Sequence, residues 1–289
     1  MSTQDRAEND TLAKSGNMAN LEDHPLILAV ETSSRIGSVA LALGDRLIEE
    51  TAFSGPMSQS EEIFPTIESL LTRQGRGPRD IAQIHIAIGP GSFTGLRIAV
   101  TLAKSMALAQ GTRIVTVDSL DVVAANPADA PRDADGRQGE FGPTPLPNRI
   151  AALFDAKRGQ FYVSIYDRIS PKDAASRGFP GDATGYEIAA PHGGIWRKVC
   201  PDSLMTAREI MDGFAGAGVL GILGDGLLYH REEFSRDDVV ILAENYWSPR
   251  AACVHQLGWQ KAQSGRFDDP LALTPFYLRG PQVTLRQRP

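Results

Sequence analysis

Residues 26–53 read LILAVETSSRIGSVALALGDRLIEETAF, and this stretch decides the fold. Its first part, Leu26–Glu31, is a short apolar run that is typical of a buried strand. Residues 36–43 alternate loosely and end at Gly44-Asp45, a pair that is typical of a hairpin turn. Residues 46–53 then follow as a third strand. The stretch therefore predicts a three-stranded meander.

Helices and strands alternate after the meander. Ser58 and Glu61 form a capping-box pattern, and apolar residues recur at i, i+4, i+7 and i+8 from Ile63, which predicts a helix. Pro65 should kink this helix or mark a late start. The sequence then predicts a strand over 84–88, a helix over 94–109 that ends at Gly111, a strand over Arg113–Val117, and a helix from Ser119.

The resulting order, βββαβαβα, is that of the ribonuclease-H-like fold, of which actin-like phosphotransferases carry two copies. A fainter second copy begins at residues 150–155 (IAALFD), where an apolar run again ends in an acid. A turn with Gly159 and an alternating strand over 161–166 follow. We therefore predict a duplicated, two-lobed α/β protein, with chance similarity of two short units as the alternative.

Composition shifts divide the chain further. Residues 126–149 contain five prolines and three glycines in 24 residues, which indicates a flexible insertion. Residues 168–198 are also predicted to be loop, 203–214 helix, 219–223 strand and 249–264 helix. We expect a disordered tail over 1–24, a first lobe over 25–125, the insertion over 126–149, and a second lobe over 150–289 whose C-terminal helix packs back on the first lobe.

The composition resembles that of an ordinary globular protein, with 42% hydrophobic and 22% charged residues. There are 29 Lys and Arg against 35 Asp and Glu, a net charge of −6. Because phosphate contacts need clustered cations, the chain is a poor candidate for binding nucleic acid alone. No apolar run approaches the roughly 18 residues of a membrane span. Cys200 and Cys253 form no metal or disulfide pattern, and we expect a cytoplasmic protein.

The strongest local motif is GPGSFTGLR over residues 89–97. A strand leads into a glycine-rich turn that opens a helix, and the N–H groups of a helix N-terminus can face an anion. Gly89, Gly91, Ser92 and Thr94 are therefore candidates for a nucleotide-facing or anion-facing loop. A tight turn with a good helix cap accounts for the same residues. The motif is not a P-loop, because no Lys-Ser/Thr pair follows.

Two acids, Glu31 and Asp155, end the first strand of each predicted lobe. In an actin-like ATPase such acids face the cleft and hold hydrated magnesium, whereas a solvated acid at a strand end is the alternative. No two histidines lie at i and i+4 and no GxSxG is present, so the sequence favours neither a metallopeptidase nor a serine hydrolase.

The helix predicted over 94–109 is apolar around most of its circumference, which indicates burial on two sides. Gly95, Ala99, Ala103 and Ala107 form a stripe of small residues at every fourth position. One side must meet the sheet, and the other meets either the helix that contains Ile63 or another subunit. We expect an interface with a partner at Ile63, Ile67, Leu71, Gly95, Ala99, Ala103 and Met106, with packing inside the monomer as the alternative.

The residues around this motif resemble a known family. Residues 88–98 (IGPGSFTGLRI) are similar to the signature of the bacterial TsaB (YeaZ) family. The resemblance covers about residues 25–279, with the Pro/Gly-rich stretches as insertions. The other matching stretches are residues 26–33 and 37–40, Ser60-Glu61 with Pro65, Asp118-Ser119-Leu120, residues 155–159 before Phe161-Tyr162, and Tyr277-Leu278-Arg279.

The resemblance implies an actin-like (ASKHA) fold and a role in making N6-threonylcarbamoyladenosine in tRNAs that read codons starting with A. It implies a non-catalytic scaffold that activates the related subunit TsaD, with the ATPase TsaE joining the assembly and tRNA bound only through the complex. No intrinsic cofactor or metal and no membrane contact is implied. Whether ATP or ADP sits at the partner interface, and whether the chain forms a homodimer without TsaD, stays open. An active actin-like kinase is the alternative.

Two positions depart from the family pattern. Glu31 stands where an Asp is common, and Gln59 stands where a His often precedes Ser-Glu. Both departures weaken the case for nucleotide turnover by this chain.

Overall fold

The first sheet is the predicted meander extended by two parallel strands. Its order is β3-β2-β1-β4-β5, in which β1 pairs antiparallel with β2, β2 antiparallel with β3, and β1-β4 and β4-β5 are parallel. The computed structural model describes residues 24–52, 59–128, 147–173, 187–190, 194–216 and 218–279. The elements of the first lobe are β1 Leu26–Glu31, β2 Ser38–Leu43, β3 Arg46–Ala52, α1 Gln59–Arg73, β4 Ile81–Ala87, α2 Phe93–Gln110, β5 Arg113–Val117 and α3 Ser119–Ala125.

The second sheet repeats this plan. Its order is β11-β10-β6-β7-β9-β8, in which β6-β7 and β7-β9 are antiparallel while β6-β10 and β10-β11 are parallel. Strands β6, β7, β9, β10 and β11 therefore correspond to β1–β5. The elements are β6 Arg149–Asp155, β7 Phe161–Ile169, β8 Ile188–Ala190, β9 Gly194–Met205, α4 Ala207–Phe214, β10 Leu220–Leu223, α5 Leu227–His230, β11 Val239–Ile241 and α6 Ala251–Gln263.

The shared strand order confirms the two-lobed, duplicated ribonuclease-H-like fold of the actin-like ATPases. The predicted strands Leu26–Glu31 and Arg113–Val117 are confirmed residue for residue, and Ser119 begins a helix as expected. All six residues of β1 are buried because it is the central strand of its sheet and is covered on both faces. Gly111 ends α2 in the left-handed conformation, with φ of 77°.

The prediction of loop over 168–198 is wrong for most of the residues in that range that the structure describes. Strand β7 continues to Ile169, and β8 and the start of β9 lie there. The helix predicted over 203–214 begins only at Ala207, after the cap at Thr206, because β9 runs on to Met205. Pro201 concealed this strand. It lies where the β7-β9 register shifts, the kind of irregularity at which a sheet tolerates proline.

Two further expectations concern helix α1 and the insertion. Pro65 does not delay the helix, which begins at Gln59 and continues through the proline. The proposed cap residue Ser58 lies outside the described residues, as do 1–23 of the predicted tail and 129–146 of the predicted insertion. Within the part of the chain that the structure describes, no helix is both long and apolar enough to cross a membrane.

Helix α6 joins the lobes by packing against the first sheet. Ala251 N donates to Ser38 Oγ at 2.8 Å, and Ala252 N donates to Glu50 Oε1 at 3.0 Å. One turn later, His255 Nε2 lies 2.8 Å from Gly44 O. These contacts satisfy the free N–H groups at the start of α6 with side chains of the first lobe.

Candidate functional site

A cleft of about 940 Å³ lies between the lobes. The first lobe lines it with the loop after β1, including Ser33 and Ser34, and with the loop before α2. The second lobe contributes the residues that follow β6 and β10, including Asp155 and Asp225. Ligands of open α/β sheets bind at such carboxyl ends of strands, which makes this cleft the natural site to consider.

The glycine-rich loop of the first lobe packs against the loop after β1. Ser92 N donates to Ser33 O at 2.6 Å, and Thr32 Oγ1 donates to Gly95 O at 2.8 Å. A Cβ on Gly91 would lie 2.2 Å from Ser33 O, so only glycine permits this approach. Ser92 also caps α2, because its Oγ accepts from Gly95 N at 3.3 Å. The two loops therefore use their polar groups on each other.

Glu31 turns towards its own loop. Its Oε1 accepts hydrogen bonds from Ser33 N at 2.5 Å and from Ser33 Oγ at 2.6 Å, and the side chain is fully buried. Oε2 finds no hydrogen-bond partner among the described residues. Burial raises the pKa of Glu31 to about 7, against the hydrogen bonds from Ser33 that lower it. Glu31 is thus a buried structural acid.

This geometry corrects two of the candidate residues for a nucleotide or anion. Glu31 and Gly89 do not line the cleft, since Glu31 is enclosed by its loop and Gly89 lies against Phe276 O. Gly91, Ser92 and Thr94 do line it, together with Asp155 of the second lobe.

Asp155 and Asp225 form the acidic wall of the cleft. Burial raises the pKa of Asp155, but hydrogen bonds from Lys157 N (2.7 Å) and Lys157 Nζ (2.5 Å) outweigh it and hold the pKa below its usual range. Burial raises the pKa of Asp225 to about 7, even though Arg35 N lies 3.5 Å from its Oδ2. Sequence reasoning missed Asp225, although its place two residues after the end of β10 is similar to that of the acids that end β1 and β6.

The first-lobe wall offers a nucleotide phosphate fewer free groups than its glycine-rich loop suggests. Of the amides at the N-terminus of α2 that could contact a phosphate, Ser92 N and Gly95 N are already hydrogen-bonded within the chain. The space beside Gly91 is filled by Ser33. Among the residues that the structure describes, no three His, Cys, Asp or Glu side chains are grouped to hold a metal ion.

The residues expected at a partner interface lie in the core of the first lobe. Ile63, Ala99 and Ala103 are fully buried within the single chain, which means that their side chains cannot reach a partner in this conformation. The physical reason is that α1 and α2 pack on the same sheet and on each other. This is the packing inside the monomer that was the alternative to a partner interface. Ile67, Leu71 and Gly95 are also buried, and Met106 is half-buried against the same core.

The same two helices nevertheless present exposed apolar side chains that sequence reasoning missed. Phe64 on α1 is 59% exposed, and Phe93 and Leu108 on α2 are 41% and 66% exposed. On α2 the exposed residues recur at i, i+3 or i+4 from Thr94 to Leu108, which defines one continuous solvent face. We call the side chains of Phe64, Phe93 and Leu108 together the helix face.

Comparisons with known proteins agree with this fold. YeaZ from Pseudomonas aeruginosa superimposes with a TM-score of 0.65 at 20% identity, over 88% of this chain and 100% of that protein. The family model for TsaD, described as tRNA N6-adenosine threonylcarbamoyltransferase, matches residues 57–192. TsaB of Bacillus subtilis (strain 168), a tRNA threonylcarbamoyladenosine biosynthesis protein, is 37% identical over 140 residues, which are 48% of this chain and 54% of that relative. The chain is therefore similar in sequence to TsaB over about half of its length.

The chain spans about half the length of the curated TsaB relatives that it matches. It is also similar to the tRNA N6-adenosine threonylcarbamoyltransferase of Solidesulfovibrio magneticus, at 27% identity over 210 residues, which are 65% of this chain and 54% of that enzyme. The chain is therefore similar in sequence both to TsaB proteins and to the transferase.

Proposed function

We propose that this chain is a non-catalytic scaffold that activates a TsaD-like transferase in the formation of N6-threonylcarbamoyladenosine. The modified base would lie next to the anticodon of tRNAs that read codons starting with A. TsaE would join the assembly, and tRNA would bind only through the complex, because the chain's net charge is −6. The work would take place in the cytoplasm.

The proposal rests on the two loops of the first lobe that follow β1 and precede α2, whose polar groups hydrogen-bond to each other. In an enzyme of this fold, the loops after β1 and before α2 would leave amides and a carboxylate free for a nucleotide and its metal. Here Ser33 occupies the space beside Gly91, and one carboxylate oxygen of Glu31 accepts the hydrogen bonds that Ser33 donates. A fold that keeps its architecture but uses these groups on itself is suited to binding a partner.

The helix face offers a surface for that partner. Phe64, Phe93 and Leu108 expose apolar area on two helices that are rigidly seated on the first sheet. Phe93 and Leu108 lie at opposite ends of α2, so a partner would contact them by lying along this helix. The related transferase could supply two equivalent helices, which would make a four-helix contact.

A titration with the TsaD-like protein of the same organism tests this surface. Leu108→Asp and Phe64→Asp should weaken binding at least tenfold, because each would bury a charge in an apolar contact. Leu271→Asp is the matched control, since Leu271 is 75% exposed in the C-terminal segment. Equal affinities for the wild type and both variants would contradict the proposed surface. Absence of any binding by the wild type would contradict the scaffold role itself.

The proposal assigns the chain no cofactor of its own and would place any ATP or ADP at the partner interface. Purified chain incubated with ATP and magnesium should therefore release no more phosphate than a buffer blank. Substantial turnover would support the actin-like kinase instead. Measuring the mass of the purified chain with and without the TsaD-like protein shows whether a homodimer gives way to the mixed complex.

A further inference from the structure

The C-terminal segment after α6 runs along the first lobe. Asp268 N donates to Ile114 O at 2.9 Å, and Asp268 Oδ2 accepts from Thr116 N at 2.8 Å, which fixes the segment to the edge of the first sheet. Further on, Lys104 Nζ on α2 donates to Leu273 O at 3.1 Å. Up to this point the segment belongs to the first lobe alone.

The segment then crosses the glycine-rich loop at close range. Phe276 N donates to Ile88 O at 2.9 Å, and a Cβ on Gly89 would lie 2.3 Å from Phe276 O. Gly89 has φ of +125°, so any other residue would clash with the segment and be strained in its backbone. The glycine therefore serves this crossing and not a ligand in the cleft.

Tyr277 contacts the start of the helix face. Its ring packs 5.1 Å from the ring of Phe93, and its hydroxyl accepts from Arg97 Nε at 3.2 Å. The Arg97 guanidinium in turn lies 3.7 Å above the centre of the Phe93 ring. Any movement of Tyr277 would therefore change its contacts with Phe93 and Arg97, two exposed residues of α2.

Arg279 reaches the second lobe. Its Nη1 donates to Ala156 O at 2.6 Å, and its Nη2 donates to Gln160 Oε1 at 2.5 Å. The acceptors bracket the turn between β6 and β7, and Ala156 and Lys157 of that turn line the cleft. A guanidinium that makes two parallel hydrogen bonds fixes direction as well as distance.

We infer that residues 273–279 form a clasp that holds the two cleft walls together and links their separation to the helix face. The clasp is anchored to the first lobe through Leu273, Phe276 and Tyr277, and to the second lobe through Arg279. At the other side of the cleft the walls meet through Arg35, whose Nη1 donates to Tyr229 OH at 2.5 Å. The clasp thus opposes opening at the β6-β7 turn.

Amide hydrogen exchange on the full chain tests the clasp. Ala156 N is bonded to Gln160 O at 2.9 Å and Gln160 N to Lys157 O at 3.3 Å, which makes exchange of these amides a measure of the turn's opening. Arg279→Ala should speed their exchange about tenfold, the effect of losing a hydrogen bond from a charged donor. Arg208→Ala, which removes an exposed arginine from the same lobe, is the matched control and should change nothing at the turn.

A second variant protects the test against general unfolding. Gln160→Ala removes one acceptor from the opposite lobe and should reproduce the faster exchange at Ala156, with β1 amides unchanged. Tyr277→Phe removes only the hydroxyl that Arg97 contacts and should also speed exchange at the turn. Turn amides that exchange at the wild-type rate in Arg279→Ala and Gln160→Ala would overturn the clasp. An effect of Tyr277→Phe confined to α2 would overturn its link to the helix face.

Discussion

Replacing Lys198 by Met should strongly destabilise the junction between the lobes. Lys198 Nζ lies 2.7 Å from Asp121 Oδ1 and 2.9 Å from Asp202 Oδ1, and the lysine side chain is only 7% exposed. Asp118 Oδ2 is a third, more distant partner at 3.4 Å. Lys198→Met would remove this cation from the buried carboxylates of Asp121 and Asp202. Removing one member of such a group costs about 3–5 kcal/mol of unfolding free energy.

The loss of stability in Lys198→Met should also depend on pH. Burial, together with the charge of Asp121, raises the pKa of Asp118 to about 6, and burial also raises the pKa of Asp202. Lys198 lowers the pKa of both acids, so its removal would raise them further. The folded variant would then bind more protons than the folded wild type as the pH falls. The stability difference between them should therefore narrow from pH 8 to pH 5.

Urea unfolding of the wild type, Lys198→Met and the control Lys172→Met measures both effects. Lys172 is exposed, so its replacement should leave the unfolding free energy within about 0.5 kcal/mol of the wild type. A Lys198→Met variant within about 1 kcal/mol of the wild type at pH 8 would refute the reasoning. A difference that stays constant between pH 8 and pH 5 would refute it as well.

Three further results are expected. Gly91→Ala should lower the unfolding free energy, measured with urea, by at least about 2 kcal/mol, because the new Cβ would meet Ser33 O. Gly213→Ala is the control, since the space around Gly213 is open, and should not lower it. Equal losses in the two variants would contradict the packing of the two loops. Burial lowers the pKa of His85 to about 3, so below pH 6.5 the unfolded state takes up a proton that the folded state does not. Between pH 7.5 and pH 5 the unfolding free energy of the wild type should therefore fall by about 2 kcal/mol more than that of His85→Gln, as measured by urea unfolding at each pH. Equal falls in the two proteins would contradict this. Asp155→Asn should bind the TsaD-like protein within about twofold of the wild type in calorimetry, and a tenfold loss would mean that the cleft takes part in assembly.

Much of the fold could be predicted from the sequence because local patterns were strong. The central strand β1 reads as one apolar run, and Gly44-Asp45 fixes the hairpin that follows. Strand β9 could not be predicted, since Pro201 and nearby glycines masked a strand that only its pairing with β7 stabilises. Such pairing depends on residues far apart in the chain, which periodicity within one window does not register.

The candidate site was harder to predict, because it depends on which face of each element is covered. The stripe at Ala99 and Ala103 has the same periodicity whether it meets another subunit or the chain's own α1 and sheet, and the structure places it in the core. Glu31 is the expected acid at the expected strand end, but the contact with Ser33 turns it away from the cleft. The first outcome is set by tertiary packing, and the second by a contact between residues only two positions apart, whose geometry depends on the conformation of the loop after β1.

Reconstitution of the tRNA modification tests the central claim most directly. Unmodified tRNA would be incubated with a source of threonylcarbamoyl-adenylate and TsaE, together with this chain alone, the TsaD-like protein alone, or both, and the nucleosides analysed by mass spectrometry. We predict N6-threonylcarbamoyladenosine in quantity only when both proteins are present. Modified adenosine formed by this chain alone, or formed equally fast by the TsaD-like protein without it, would contradict the scaffold role.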